Sequence, residues 1–209
     1  MHRGKAKELL ETFKRRIELA ENDTTFVVKN DTQPFIQTER DALEAIFKAC
    51  GGEEWLNRGR WCTQAPVSVW HGVVMEDGRV IRLFLRDNNL RGELPDIFAK
   101  LPKLKQLYLS GNELCGSIPI SVGGLSDLTT LDMSKNLLSG SVPRAMGGLF
   151  SLQRLLLDHN ELSGDLPSTL ACLTNLKWVD FRENALEKKE LPAMLDFIPV
   201  RRPIDSMKF

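Results

Sequence analysis

Residues 128–143 read LTTLDMSKNLLSGSVP; 24 positions upstream, from Leu104, the chain reads LKQLYLSGNELCGSIP, and 24 downstream, from Leu152, LQRLLLDHNELSGDLP. Counting from Val80, Leu104, Leu128, Leu152 and Leu176 as first positions, the ninth position is Asn88, Asn112, Asn136, Asn160 and Asn184. Positions four and six hold Leu83 and Leu85, Leu107 and Leu109, Leu131 and Met133, Leu155 and Leu157, then Val179 and Phe181. Position eleven is leucine in every cycle, and position thirteen is Gly92, Gly116, Gly140 and Gly164, replaced only by Lys188 in the last. Prolines recur at Pro95, Pro119, Pro143 and Pro167. A period that does not drift over five cycles marks a solenoid, in which no unit can bury its apolar face without its neighbours.

Each offset has a physical role. Period-two alternation at positions four and six predicts one short strand per coil, with those side chains inward and the intervening ones outward. Strands of successive coils stack in parallel. The asparagine follows the strand because its amide both donates to and accepts from backbone groups at a buried bend, where each unpaired peptide group costs about 1–3 kcal/mol. Stacked coils therefore share an asparagine ladder. Glycine and proline complete the turn, one by tolerating left-handed or crowded backbone, the other by fixing φ where no sheet hydrogen bond is needed.

The unit resembles the plant-specific class of leucine-rich repeats, LxxLxLxxNxLxGxIPxxLxxLxx, over residues 80–197. The resemblance implies an α/β solenoid, a right-handed superhelix with a concave parallel β-sheet as partner surface and short helical or 3₁₀ segments behind it. Upstream, TERDALEAIFKACGG places Thr38 and Asp41 at capping-box spacing, puts Leu43, Ile46 and Phe47 on one helical face, and ends on Gly51 and Gly52. Trp55, Trp61 and Trp70 follow, and VWHGVVMEDGRVIRLFL reads as a strand, an Asp77–Gly78 hairpin turn and the first repeat strand. This helix and tryptophan cap looks like that of intracellular-looking algal and microbial members, and more distantly like the caps of receptor-kinase ectodomains and polygalacturonase inhibitors. Extracellular plant members usually carry a cysteine pair here, whereas Met75 stands where the second cysteine would be.

The organisation expected is an N-terminal helix and linker over 1–37, a cap over 38–79, five repeats of 24 residues over 80–197 and a tail over 198–209. Residues 4–20 form a separate candidate helix, with Leu10, Phe13 and Ile17 on one face. That helix either docks or frays, or it serves self-association.

Charge and cysteines narrow the setting. With 28 basic against 28 acidic residues, no whole-chain field selects nucleic acid or an anionic membrane, so neither is an expected partner. No apolar run reaches the roughly 20 residues of a membrane span, and the N-terminus lacks a secretory apolar region. Cys50, Cys62, Cys115 and Cys172 are too dispersed for a zinc or redox motif and read as separate thiols in a reducing compartment. Cytoplasmic location is the expectation. The alternative is extracellular, which the sequons at Asn22 and Asn30 would suit.

Function is expected on the outward strand positions. Only three histidines occur, none in a nucleophile, metal or phosphate motif, so no catalytic residue, metal or cofactor is assigned. Gly123-Gly124 and Gly147-Gly148 recur at one repeat position and read as turns on the back of the coil. Position five forms one stripe: Phe84, Tyr108, Asp132, Leu156 and Asp180. Beside it lie Arg82, Arg86, Arg154, Asp158, His159, Trp178 and Arg182. Aromatics and arginines gathered on one surface have the character of interaction hot spots. The reading is a non-enzymatic module binding a protein or peptide on the concave face; the alternatives are a secreted recognition or inhibitor protein or receptor-type ligand-binding domain, and an assembly subunit using residues 4–20.

Overall fold

A computed structural model describes residues 34–187. The candidate helix over 4–20, both sequons, the last part of the fifth coil and the tail lie outside these residues. Helix α1, Pro34–Ala49, begins four residues upstream of Thr38, so Thr38 sits inside the helix and the capping-box start is corrected. Proline supplies the opening instead, its fixed φ suiting a first helical turn. Ala42, Leu43, Ile46 and Phe47 form the buried face.

Strands β1 (Val73–Glu76) and β2 (Arg79–Phe84) make the expected antiparallel hairpin. Its turn residues Asp77 and Gly78 have φ of 51° and 73°, the left-handed pair that matches strand twist. Thereafter each coil adds one strand to the same sheet: β4 (Gln106–Tyr108), β6 (Thr130–Asp132), β8 (Arg154–Leu156) and β10 (Trp178–Asp180). The order is β1-β2-β4-β6-β8-β10, parallel from β2 onward. Arg82 pairs with Gln106, Gln106 with Thr130, and so on at a constant offset of 24 residues.

A second parallel sheet accompanies the first. Strands β3 (Arg91–Glu93), β5 (Glu113–Gly116), β7 (Leu137–Gly140), β9 (Glu161–Gly164) and β11 (Ala185–Leu186) stack where the sequence predicts only a turn. Its pairs are offset by 22 residues, as in Arg91 with Glu113 and Cys115 with Leu137. The glycine is needed at its end: Gly116 has φ 71°, a conformation that costs any residue with a Cβ. Proline then sets φ near −60° ahead of the 3₁₀ helices Ile120–Gly124, Arg144–Gly148 and Ser168–Cys172 on the far side.

The core is continuous from α1 to Leu186. Positions four, six and eleven are buried in every described coil, as are Phe98, Val122, Met146 and Leu170 from the 3₁₀ side. The asparagine ladder is present. Asn112 Oδ1 accepts from the N–H groups of Asn88 (2.9 Å) and Leu90 (3.0 Å), while its Nδ2 donates to the Leu85 and Leu109 carbonyls, each 2.8 Å away. Asn136, Asn160 and Asn184 repeat the two donated bonds one coil on, while the Oδ1 of each accepts from a single N–H, that of Leu114, Leu138 or Leu162. Asn88, at the head of the ladder, instead receives Asn57 N–H at 2.6 Å and donates to Asn57 O at 3.0 Å, which ties the cap to the first coil.

The three tryptophans close the N-terminal end. Trp55 and Trp61 meet edge to face, Trp61 lies against Trp70, and Phe47 contacts both Trp55 and Trp61, with ring centroids 5.0–5.9 Å apart. Each indole N–H finds a carbonyl: Trp55 on Cys50, Trp61 on His71, Trp70 on Ala65. Arg40 lies 5.0 Å over Trp70 and donates to Thr63 and Ala65 carbonyls. Glu39, only 1% exposed, accepts from Arg79 Nε at 2.6 Å and from the buried Val80 N–H at 2.8 Å, joining α1 to β2.

The glycine pairs prove to lie within the 3₁₀ helices rather than in turns. For Gly123 and Gly147 the reason is contact between coils: a Cβ on Gly123 would sit 2.2 Å from Ala145 O, and one on Gly147 2.6 Å from Thr169 O, whereas one on Gly124 would meet nothing within 4 Å. Gly123→Ala is expected to lose about 1–3 kcal/mol by forcing the coils apart, measured as a lowered urea midpoint. An unchanged midpoint would show that the coils separate freely.

Candidate partner-binding face

Because position four points inward, positions three, five and seven of the larger sheet point outward. Their register is set by strand pairing: Arg82, Gln106, Thr130, Arg154 and Trp178 form one row, and Phe84, Tyr108, Asp132, Leu156 and Asp180 the next. In the first two coils Phe84 and Tyr108 stack with centroids 5.0 Å apart and planes 10° from parallel. The Arg86 guanidinium lies 4.1 Å over the Tyr108 ring and pairs with the Asp132 carboxylate.

Asp132 is only 3% exposed, a correction to its expected place on the contact surface. Arg86 covers it, Ser110 Oγ donates to it at 3.1 Å, and Ser134 donates to its other oxygen from both Oγ (2.8 Å) and N–H (3.3 Å). It acts as an anchor beneath the face. Thr130 and Ser134, also expected outward, are buried too. Both are short side chains, and Thr130 lies in its row between the longer Gln106 and Arg154.

The remaining residues group further along. Arg154 lies 5.8 Å over the Trp178 ring, and neither Arg82 nor Arg154 forms an ion pair among the described residues. Arg182 Nε donates to both Asp180 oxygens, at 2.9 and 3.1 Å, which holds the guanidinium protonated beyond its usual range. His159 Nδ1 lies 2.9 Å from Asp158 Oδ2 at the rim. Phe84 and Trp178 keep 38% and 37% of their surface exposed, Tyr108 and Leu156 less.

Two features escaped sequence reasoning. Position eight is left-handed in every coil, with φ of 48° at Asp87, 70° at Gly111 and 54° at Lys135, His159 and Glu183. Gly111 was its only mark in the sequence. The Arg86–Asp132 pairing spans two coils, and spacing alone does not announce it. Among the described residues, no group of three or more His, Cys, Asp or Glu side chains is placed to hold a metal ion.

Leucine-rich-repeat family profiles match residues 79–101, 103–125 and 119–162. The BIR2 ectodomain of Arabidopsis thaliana aligns with TM-score 0.63 and 30% identity, over 77% of this chain and 85% of that one. The chain belongs to the leucine-rich-repeat family. The SOBIR1 receptor-kinase ectodomain of the same plant aligns with this leucine-rich-repeat protein at TM-score 0.66 and 28% identity, over 79% and 90% of the respective chains. The GASSHO1/SCHENGEN3 ectodomain, solved in complex with CASPARIAN STRIP INTEGRITY FACTOR 2, aligns at TM-score 0.62 and 28% identity, over 72% of this chain but 18% of its own. No curated protein sequence matches the leucine-rich-repeat chain. These neighbours are ectodomains, and no helix among the described residues is long and apolar enough to cross a membrane.

Proposed function

We propose that this leucine-rich-repeat protein is a non-enzymatic recognition module that binds a protein or peptide on the outward face of its larger sheet. The observation that carries this reading is the exposed Phe84–Tyr108 stack with Arg86 fixed across it, next to the exposed Trp178 under Arg154. Aromatic rings and guanidinium groups placed this way give large contact area at small ordering cost. The contacts assigned are Arg82, Phe84, Arg86, Tyr108, Arg154, Leu156, Asp158, His159, Trp178, Asp180 and Arg182, with Asp132 as support. A complex of the structurally similar ectodomain GASSHO1/SCHENGEN3 with its factor supports protein or peptide recognition by the fold. Capture of a partner from the native source is expected with the unaltered chain. It is expected to disappear when Phe84, Tyr108, Arg154 and Trp178 are replaced together; retention by that variant would refute the assignment.

The compartment belongs to the same proposal. All four cysteines are free thiols, and Met75 occupies the place of a family cysteine, which supports the cytoplasm and a kinship with intracellular members. The ectodomain neighbours favour a second reading, a secreted or receptor-type recognition domain. Burial, reinforced by the nearby Cys115, pushes the Cys50 thiol up to about 12. In the folded protein at about pH 8, iodoacetamide is therefore expected to modify exposed Cys62 and Cys172 and to spare Cys50. After unfolding without reductant, all four should react; a disulfide, or glycan on Asn22 or Asn30, would move the protein outside the cell.

A further inference from the structure

The outward face carries a charge polarity across its width. At the margin where the strands begin stand four cations, Arg82, Lys105, Arg154 and Lys177, against one carboxylate, Glu76. Glu76 is held below the usual carboxylate range by its 2.6 Å hydrogen bond to Lys105 and by that cation's charge. Among the described residues, the Lys177 side chain reaches only the neutral Gln153, at 3.4 Å, and that of Arg154 only the Trp178 ring. Towards the opposite margin the sign reverses: Asp87, Asp132, Asp158, Asp180 and Glu183 outnumber Arg86, Lys135 and Arg182. There Arg86 and Arg182 are already neutralised by Asp132 and Asp180. The chain as a whole has no net charge to override this polarity.

We propose, resting on the recognition reading above, that the partner is an extended acidic peptide segment lying along the basic margin with apolar side chains over the aromatic stripe. Charge complementarity selects the sign. Like charges against Arg82 and Arg154 would repel, while carboxylates would meet guanidinium groups that form no ion pair among the described residues, although Glu76 is near enough to Arg82 to feel its charge. Spacing selects the pattern. Arg82 and Arg154 stand three strands apart, about 14 Å at 4.8 Å per strand. Four residues of extended peptide cover about 13–14 Å, and residues four apart point to the same side. Acidic residues at i and i+4 therefore meet both arginines, and the residue between them, at i+2, points to the same side midway along the row, over Gln106 and Thr130 and next to the row that holds Tyr108.

The test uses the full chain against three immobilised octapeptide arrays. In the first, Glu occupies the second and sixth places with an aromatic at the fourth; in the second, Lys replaces Glu; in the third, the two Glu are adjacent. Retention is expected on the first array alone. It should fall about tenfold or more in the Arg82→Glu/Arg154→Glu variant, and also on raising salt from about 0.15 M to 0.5 M. Neither arginine forms an ion pair among the described residues, so the variant's thermal midpoint is expected to match that of the unaltered chain. Equal retention on the lysine array, equal retention on the adjacent-Glu array, no retention on any array, or indifference to the double substitution would each overturn the proposal. Should native-partner capture still require Phe84 and Trp178 in those cases, the recognition reading survives and only the acidic specificity fails.

Discussion

Asn112→Ala is expected to remove about 4–6 kcal/mol, much of the 5–15 kcal/mol that keeps a domain of this size folded. Deleting the amide strands the buried N–H groups of Asn88 and Leu90 and the Leu85 carbonyl, while the Leu109 carbonyl keeps only its bond from the Asn136 amide. At about 1–3 kcal/mol each, even partial rescue by water leaves a large deficit. Urea denaturation followed by circular dichroism gives the measurement, with Glu113→Ala, an exposed neighbour, as the control expected to stay within about 0.5 kcal/mol of the unaltered chain. A loss below about 1 kcal/mol would mean that the amide ladder decorates the stack rather than holding it. Asn112→Asp is expected to fall between, since a carboxylate keeps the acceptor and loses the donor.

The second large effect is expected at the junction of cap and solenoid. Glu39→Leu removes a buried carboxylate from Arg79 and leaves the Val80 N–H without its acceptor, for an expected loss of about 3–5 kcal/mol. Replacing Glu39 and Arg79 together by leucine should restore part of it, because an apolar pair incurs no desolvation of charge. If the double variant is no more stable than the single one, the Val80 hydrogen bond rather than the ion pair secures α1. Melting temperature reports both.

The stack itself was legible in the sequence because its rules are local: apolar residues at positions four and six, leucine at eleven and asparagine at nine stand where their periodicity put them, and the Asp77–Gly78 turn stands where its residue pair put it. The second sheet was not. Its segments, such as ELCG and LLSG, are short, hold the obligatory glycine, and show no apolar alternation; they become strands only because neighbouring coils offer hydrogen bonds. The same holds for the site. Alternation placed Phe84, Tyr108, Leu156 and Trp178 on one side of the sheet, but the submergence of Asp132 depends on Arg86 crossing from two coils away. The start of α1 at Pro34 and the docking of Asn57 on Asn88 likewise depend on contacts that local spacing does not specify.

The unequal offsets of the two sheets shear successive coils along one flank only. In the larger sheet, equivalent positions of adjacent coils are direct neighbours, about 4.8 Å apart. In the smaller one the strands keep that spacing, but equivalent positions are slipped by two residues along the strand, about 6.7 Å. A given repeat position therefore runs as a straight file on the larger sheet and as a staircase on the smaller one. A ligand with a regular repeat of its own could stay in step with the file from coil to coil, whereas on the staircase it would have to shift sideways at every step.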